Sequence, residues 1–135
     1  MFDVKFMRAA LKEAYKAKEN NEVPVGAVVV FEDKIIARGR NTREETNVSV
    51  NHAEIIAITK ACKKLKSWRL EGCDLYVTRK PCAMCAGAVS LSRIQNVYYG
   101  AEDTTDAVFK VNYAGGILKE ESAGLLKEFF KELRK

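Results

Sequence analysis

Residues Ala27 to Phe31 read Ala-Val-Val-Val-Phe. Nothing polar interrupts this run, so as a strand it is too apolar for the edge of a sheet. A chain that contains it must cover a sheet on both sides, and the flanking patterns supply the cover. Val4 to Lys18 reads as an amphipathic helix, with Val4, Met7, Leu11, Ala14 and Tyr15 at helical spacing. Glu32-Asp33-Lys34 is a polar turn, and Ile35 to Arg40 returns as a second strand to complete a hairpin.

Asn41 to Asn51 is a polar loop, and His52 to Lys66 is predicted to be a helix with Ala53, Ile56, Ala57, Ala61 and Leu65 inward. Asp74 to Thr78 is a third strand. Pro81 suits the first turn of a helix reaching about Ser92, because its missing N–H is unpaired there anyway. Asn96 to Ala101 is a fourth strand and Val108 to Tyr113 a candidate fifth. Leu118 to Lys135 closes the chain as an amphipathic helix carrying Leu125, Leu126, Phe129, Phe130 and Leu133 inward. Strands alternating with helices predict an α/β domain spanning 1–135, its sheet covered by helices on both faces.

Composition narrows the class. Hydrophobic residues are 47% and charged residues 30% of 135, a globular balance large enough for a core without disulfide staples. No apolar run approaches the roughly 20 residues of a membrane span, and charges break the N-terminal segment where a signal peptide needs an apolar stretch. The expected location is the cytoplasm, with no membrane partner. There, four cysteines point to metal ligands, reactive thiols or core residues rather than disulfides. The net charge of +5 suits an anionic partner such as RNA or a nucleotide.

Two short groups carry the chemistry, His52-Ala53-Glu54 and Pro81-Cys82-Ala83-Met84-Cys85. Both fall where a loop or strand hands over to a helix. Cys82 and Cys85, three apart, share a helix face. A helix N-terminus stabilises their thiolates, and His52 offers a third ligand from the other helix. Two thiolates and a neutral imidazole balance Zn(2+), one per chain, and leave the fourth position to water, as a catalytic site requires. Glu54 is placed to move protons between water, a ring nitrogen and departing ammonia. A helix-first-turn carboxylate is its plainer reading. The combined pattern matches the signature of zinc-dependent base deaminases.

The chain as a whole resembles the cytidine deaminase-like superfamily, most closely its bacterial tRNA-specific adenosine deaminase branch. The resemblance rests on Glu22-Val23-Pro24-Val25-Gly26-Ala27-Val28, Asn41, His52-Ala53-Glu54-Ile55 and Leu75-Tyr76-Val77-Thr78. It continues through Pro81 to Ala88, Ser92-Arg93-Ile94, Tyr99-Gly100-Ala101, Gly116-Ile117-Leu118 and Phe129-Phe130. It implies a three-layer α/β/α cytidine deaminase-like fold on a mixed five-stranded sheet. It also implies a homodimer that converts adenosine to inosine at the wobble position of a tRNA anticodon loop, with the target base flipped out. By the same resemblance Asn41 would hydrogen-bond the flipped nucleoside, Pro24 and Val25 would wall the pocket, and Asp103 would face the RNA backbone. A turn Asn and a strand-end Asp are the plainer readings.

Three features depart from that family. Lys80 stands where it usually has Glu, and Asn51 where it commonly has Ala. The third lies between Ala101 and Val108, where only six residues remain. A parallel crossover usually takes a dozen or more, so the fifth strand is expected to run antiparallel to the fourth, as in free-nucleoside cytidine deaminases.

Two alternatives follow: a deaminase of free bases or nucleosides (cytosine, guanine or cytidine), or a non-catalytic zinc-stabilised subunit that binds RNA or a partner. Lys60, Lys63, Lys64, Lys66 and Arg69 read as a solvated helix face. The family's tail approaches RNA, which gives Arg134 a possible RNA role by resemblance. Cys62 and Cys73 read as small buried hydrophobes, and Trp68 as the cap of a core edge.

Overall fold

The computed structural model describes residues 2–133. Arg134 and Lys135 lie outside the described residues. A first helix, α1 (Val4–Glu19), starts on Asp3, whose carboxylate accepts from the Lys5 N–H. The hairpin is β1 (Gly26–Phe31) and β2 (Lys34–Arg40). Glu32 and Asp33 turn it with φ of 50° and 64°, the left-handed pair that two-residue hairpin turns require. A one-turn helix α2 (Arg43–Thr46) lies within the stretch read as loop. The order continues α3 (Ala53–Leu65), β3 (Cys73–Arg79), α4 (Ala83–Leu91), β4 (Asn96–Ala101), β5 (Asn112–Ala114) and α5 (Lys119–Leu133).

The sheet order is β2-β1-β3-β4-β5. Strand β1 is interior, antiparallel to β2 and β3, as its composition requires. Alternate side chains of the sheet serve two clusters. Val28, Val30, Tyr76 and Tyr98 pack with Phe6, Met7 and Ala10 of α1. Ala27, Val29, Leu75, Val77 and Val97 pack with Ala53, Ala57 and Ala61 of α3 and Val89 of α4. Helix α5 lies beside α1, linked to it by Arg8–Glu121 and Lys18–Glu128 ion pairs. The result is the expected three-layer α/β/α arrangement with a mixed sheet.

Two glycines set how closely the layers approach. A Cβ on Gly26 would collide with backbone atoms of Ala10 and Ala14. One on Gly39 would collide with the Ala53 carbonyl and the Ala57 amide. Gly39 thus allows the first turn of α3 to sit directly on β2, which places the functional end of that helix.

The antiparallel expectation for the fifth strand is wrong. Strand β5 pairs parallel to β4, with Asn96 opposite Asn112, Val97 opposite Tyr113 and Tyr98 opposite Ala114. The strand starts at Asn112, so ten residues, 102–111, make the crossover, and they do so without a helix. The connection must return along the six residues of β4, about 20 Å at strand rise, and ten extended residues reach about 33 Å. From Asp103 to Val111 burial alternates between half-buried and exposed. Phe109 lies 6.4 Å from Tyr99 and 4.7 Å from Tyr113 between ring centroids. An extended segment laid over β4 therefore replaces the crossover helix.

Other expectations shift locally. Cys82 occupies the N-cap position of α4, so Pro81 precedes the helix rather than lying in its first turn. Leu125, Leu126 and Phe129 are buried, but Phe130 and Leu133 turn outward beside Val23 and Asn41. Tyr15 is exposed rather than on the packed face of α1, and Trp68 is exposed rather than at a core edge, with the guanidinium groups of Arg69 and Arg93 5.0 and 5.9 Å from the Trp68 ring centroid. Cys73 is buried, whereas Cys62 is only half-buried.

Candidate active site

The N-termini of α3 and α4 meet at one end of the sheet. His52 is the N-cap residue of α3 and Cys82 that of α4, and neither side chain caps its helix. Both are therefore free to turn toward a common point. Cys85, in the first turn of α4, is fully buried and joins them. His52 Nδ1 lies 3.7 Å from Cys82 Sγ and 3.6 Å from Cys85 Sγ. All three ligand atoms fall within 4.8 Å of one another.

That spacing can be tested against zinc. With Zn–N near 2.0 Å and Zn–S near 2.3 Å, a tetrahedral site has N···S edges of about 3.5 Å. The donor set fits on chemical grounds as well. Burial, with Glu54 and Cys82 beside it, pushes the Cys85 thiol far above its ordinary range. A thiol so placed ionises only when a cation takes up its charge. Burial, followed by the positive charges of Arg43 and Arg79, holds the His52 imidazole below its usual 6.5, in its neutral ligating form.

Glu54 follows His52 by two residues and is 4% exposed. Burial raises its carboxyl from 4.5 to about 7, against the opposing pull of its own backbone N–H, Cys85 and Arg79. A carboxyl poised near neutrality can both accept and return a proton.

These groups open into a cavity of about 110 Å³. Pockets that enclose drug-sized ligands run from about 300 Å³ upward, so this one admits a single ring system and leaves the rest of a substrate outside. His52, Ala53, Glu54 and Cys82 form its floor side, and Val23, Val25, Asn41, Arg43, Arg79, Lys80 and Asp103 complete the lining. Of the residues singled out from the sequence, His52, Glu54, Cys82, Val25, Asn41 and Asp103 come together there. Pro24 is buried but does not line the cavity; Val23 does.

Asn41 is buried, and its Oδ1 accepts from the Arg43 N–H at 3.3 Å, so it is at once a turn residue and a wall residue. Asp103 binds Arg79, with Oδ2 3.1 Å from Nη2. Asn51 turns away from the cavity and donates from Nδ2 to Thr46 Oγ1.

Sequence reasoning missed Arg43, Arg79 and Glu22. Glu22 is 1% exposed, and its two oxygens accept from the Glu44 N–H at 3.0 Å and the Glu45 N–H at 2.7 Å. It holds α2, and with α2 the cavity residue Arg43. Nothing local marks it, since its partners are 22 and 23 residues away.

The family pattern of the cytidine and deoxycytidylate deaminase zinc-binding region matches residues 1–101. The tRNA-specific adenosine deaminase of Bacillus subtilis is 46% identical over 147 aligned positions, covering 98% of this chain and 91% of its own. A structure solved in work on A-to-I editing by tRNA:A34 deaminases at the wobble position superposes with a TM-score of 0.86 at 40% identity, covering 92% of this chain and all of that one. A guanine deaminase from Bacillus subtilis superposes at 0.72 with 32% identity, covering 98% and 76%.

Proposed function

The chain belongs to the cytidine and deoxycytidylate deaminase zinc-binding family, and from that premise we propose that it hydrolyses adenosine to inosine in RNA, at the wobble position of a tRNA anticodon loop. The observation that carries the reading is the meeting of His52, Cys82, Cys85 and Glu54 at one small cavity. The 46% identity to a tRNA-specific adenosine deaminase supports the choice of substrate.

His52, Cys82 and Cys85 would hold one zinc ion per chain, which would make hydroxide available from water near pH 7. Glu54 takes the proton from the attacking water, delivers it to the purine ring nitrogen, and passes a proton to the departing ammonia. Asn41 and Val25 hold the base in the cavity. A purely structural zinc site has no use for Glu54 at the same opening.

The reading extends to a homodimer acting in the cytoplasm. Met84 and Leu91 are seven residues apart on α4 and exposed, and Trp68 is exposed near the end of that helix. Such an apolar strip suits burial against a second copy. Sedimentation should give twice the chain mass, and Leu91→Asp should reduce it to one.

The second reading is a free purine base deaminase, favoured by the 32% identity to a guanine deaminase. The parallel β5 differs from the antiparallel fifth strand expected of a free-nucleoside cytidine deaminase. Mass spectrometry on bulk tRNA and a panel of free bases and nucleosides separates the two. Inosine in tRNA alone is expected. Turnover of guanine or a free nucleoside with tRNA untouched would overturn the proposal.

A further inference from the structure

The cavity rim carries more positive charge than the rim's own carboxylate can balance. Arg43, Arg79 and Lys80 line it, with Asp103 the carboxylate beside them. Asp103 is committed to Arg79 at 3.1 Å. Among the described residues, Arg43 and Lys80 form no ion pair. Lys80 is also anchored: its backbone N–H donates to the Ala101 carbonyl at 2.8 Å, which fixes its Cα at the end of β3. It is half-buried and lines the cavity.

We propose that Lys80 and Arg43 form a phosphate subsite at the mouth of the cavity, for the phosphate attached to the nucleoside whose base occupies the floor. The inference rests on the reading above, in which the base points inward to Glu54. A cavity of about 110 Å³ takes the base and leaves sugar and phosphate at the rim. There, two cations without carboxylate partners meet the one anionic group a nucleotide offers. A lysine ammonium serves as a point charge and an arginine as a forked donor for phosphate oxygens. The phosphate is a phosphodiester in RNA or a phosphomonoester in a free nucleotide, and the test distinguishes them.

The test is binding of the zinc-loaded protein, read by fluorescence anisotropy and calorimetry, to an anticodon stem-loop, adenosine 5′-monophosphate and adenosine. Guanosine and its monophosphate serve as a second pair. Wild type should bind monophosphates more tightly than nucleosides, and the stem-loop most tightly. Lys80→Gln should weaken stem-loop binding about tenfold, and its log Kd against log salt slope should fall by about 0.7, the value for one phosphate on a single strand. Lys80→Glu should weaken it further. Lys64→Gln removes the same charge on the outer face of α3 and should leave the slope unchanged.

Loss of the monophosphate preference in Lys80→Gln, with little change for the stem-loop, would assign the subsite to free nucleotides. Equal slopes for Lys80→Gln and wild type, together with no monophosphate preference in wild type, would overturn the proposal. Because the guanosine pair reports on phosphate whatever base is deaminated, a wrong base assignment and a wrong phosphate assignment give different results.

Discussion

At the floor of the cavity, the chemistry-bearing side chains sit at the first turns of two helices packed on the sheet. The rim is assembled from a one-turn helix, a strand end and the start of an extended crossover. At the floor Glu54 and Cys85 are 4% and 0% exposed, while His52 and Cys82 are half-buried. The rim is half-buried or exposed, and charged. The first arrangement fixes ligand atoms within a few tenths of an ångström by backbone geometry. The second leaves room for side chains to change without disturbing the fold. The contrast suggests that reaction type resides in the floor and substrate choice in the rim.

Variants can break that division. Cys85→Ser at the floor should abolish both zinc uptake, measured by elemental analysis, and inosine formation, while the rim is untouched. Glu54→Gln should keep one zinc per chain and lower kcat by about 10²- to 10⁴-fold, the usual share of a general acid–base group. Retention of full activity in Glu54→Gln would remove Glu54 from the mechanism.

The metal-free protein offers a third test. Its Glu54 carboxyl lies at about 7 when folded and 4.5 when unfolded. Between those values the folded state binds more protons than the unfolded state. Stability is therefore fully present below 4.5 and falls as pH rises through 7, by about 3 kcal/mol. Denaturant melts of the metal-free chain at pH 5 and pH 8 should show that fall, and Glu54→Gln should lack it. At the rim, Glu22→Ala frees the two α2 amides and should cost about 1–3 kcal/mol of stability. It should raise KM for RNA with zinc content unchanged. An equal loss of zinc in Glu22→Ala would mean that floor and rim are not separable.

The same division explains what could be read from the chain. The interior position of β1 follows from Ala27 to Phe31, and the ligand triad from residue types whose spacing matches cap and first-turn positions. Both are local. The direction of β5 was misread because its three residues are all exposed and carry no burial pattern. A residue count then stood in for geometry, with a helix assumed where an extended chain suffices. Hydrophobicity alone places Phe130 and Leu133 inward, although both lie outside the packed stripe of α5. Glu22 and the Arg79–Asp103 pair join residues more than twenty positions apart, which periodicity does not report.

Zinc K-edge absorption on the purified wild-type protein tests the centre of this account most directly. One zinc per chain is expected, with two sulfur neighbours at about 2.3 Å and nitrogen or oxygen neighbours at about 2.0 Å. A protein that takes up no divalent cation, or one whose zinc has no sulfur neighbours, would contradict it.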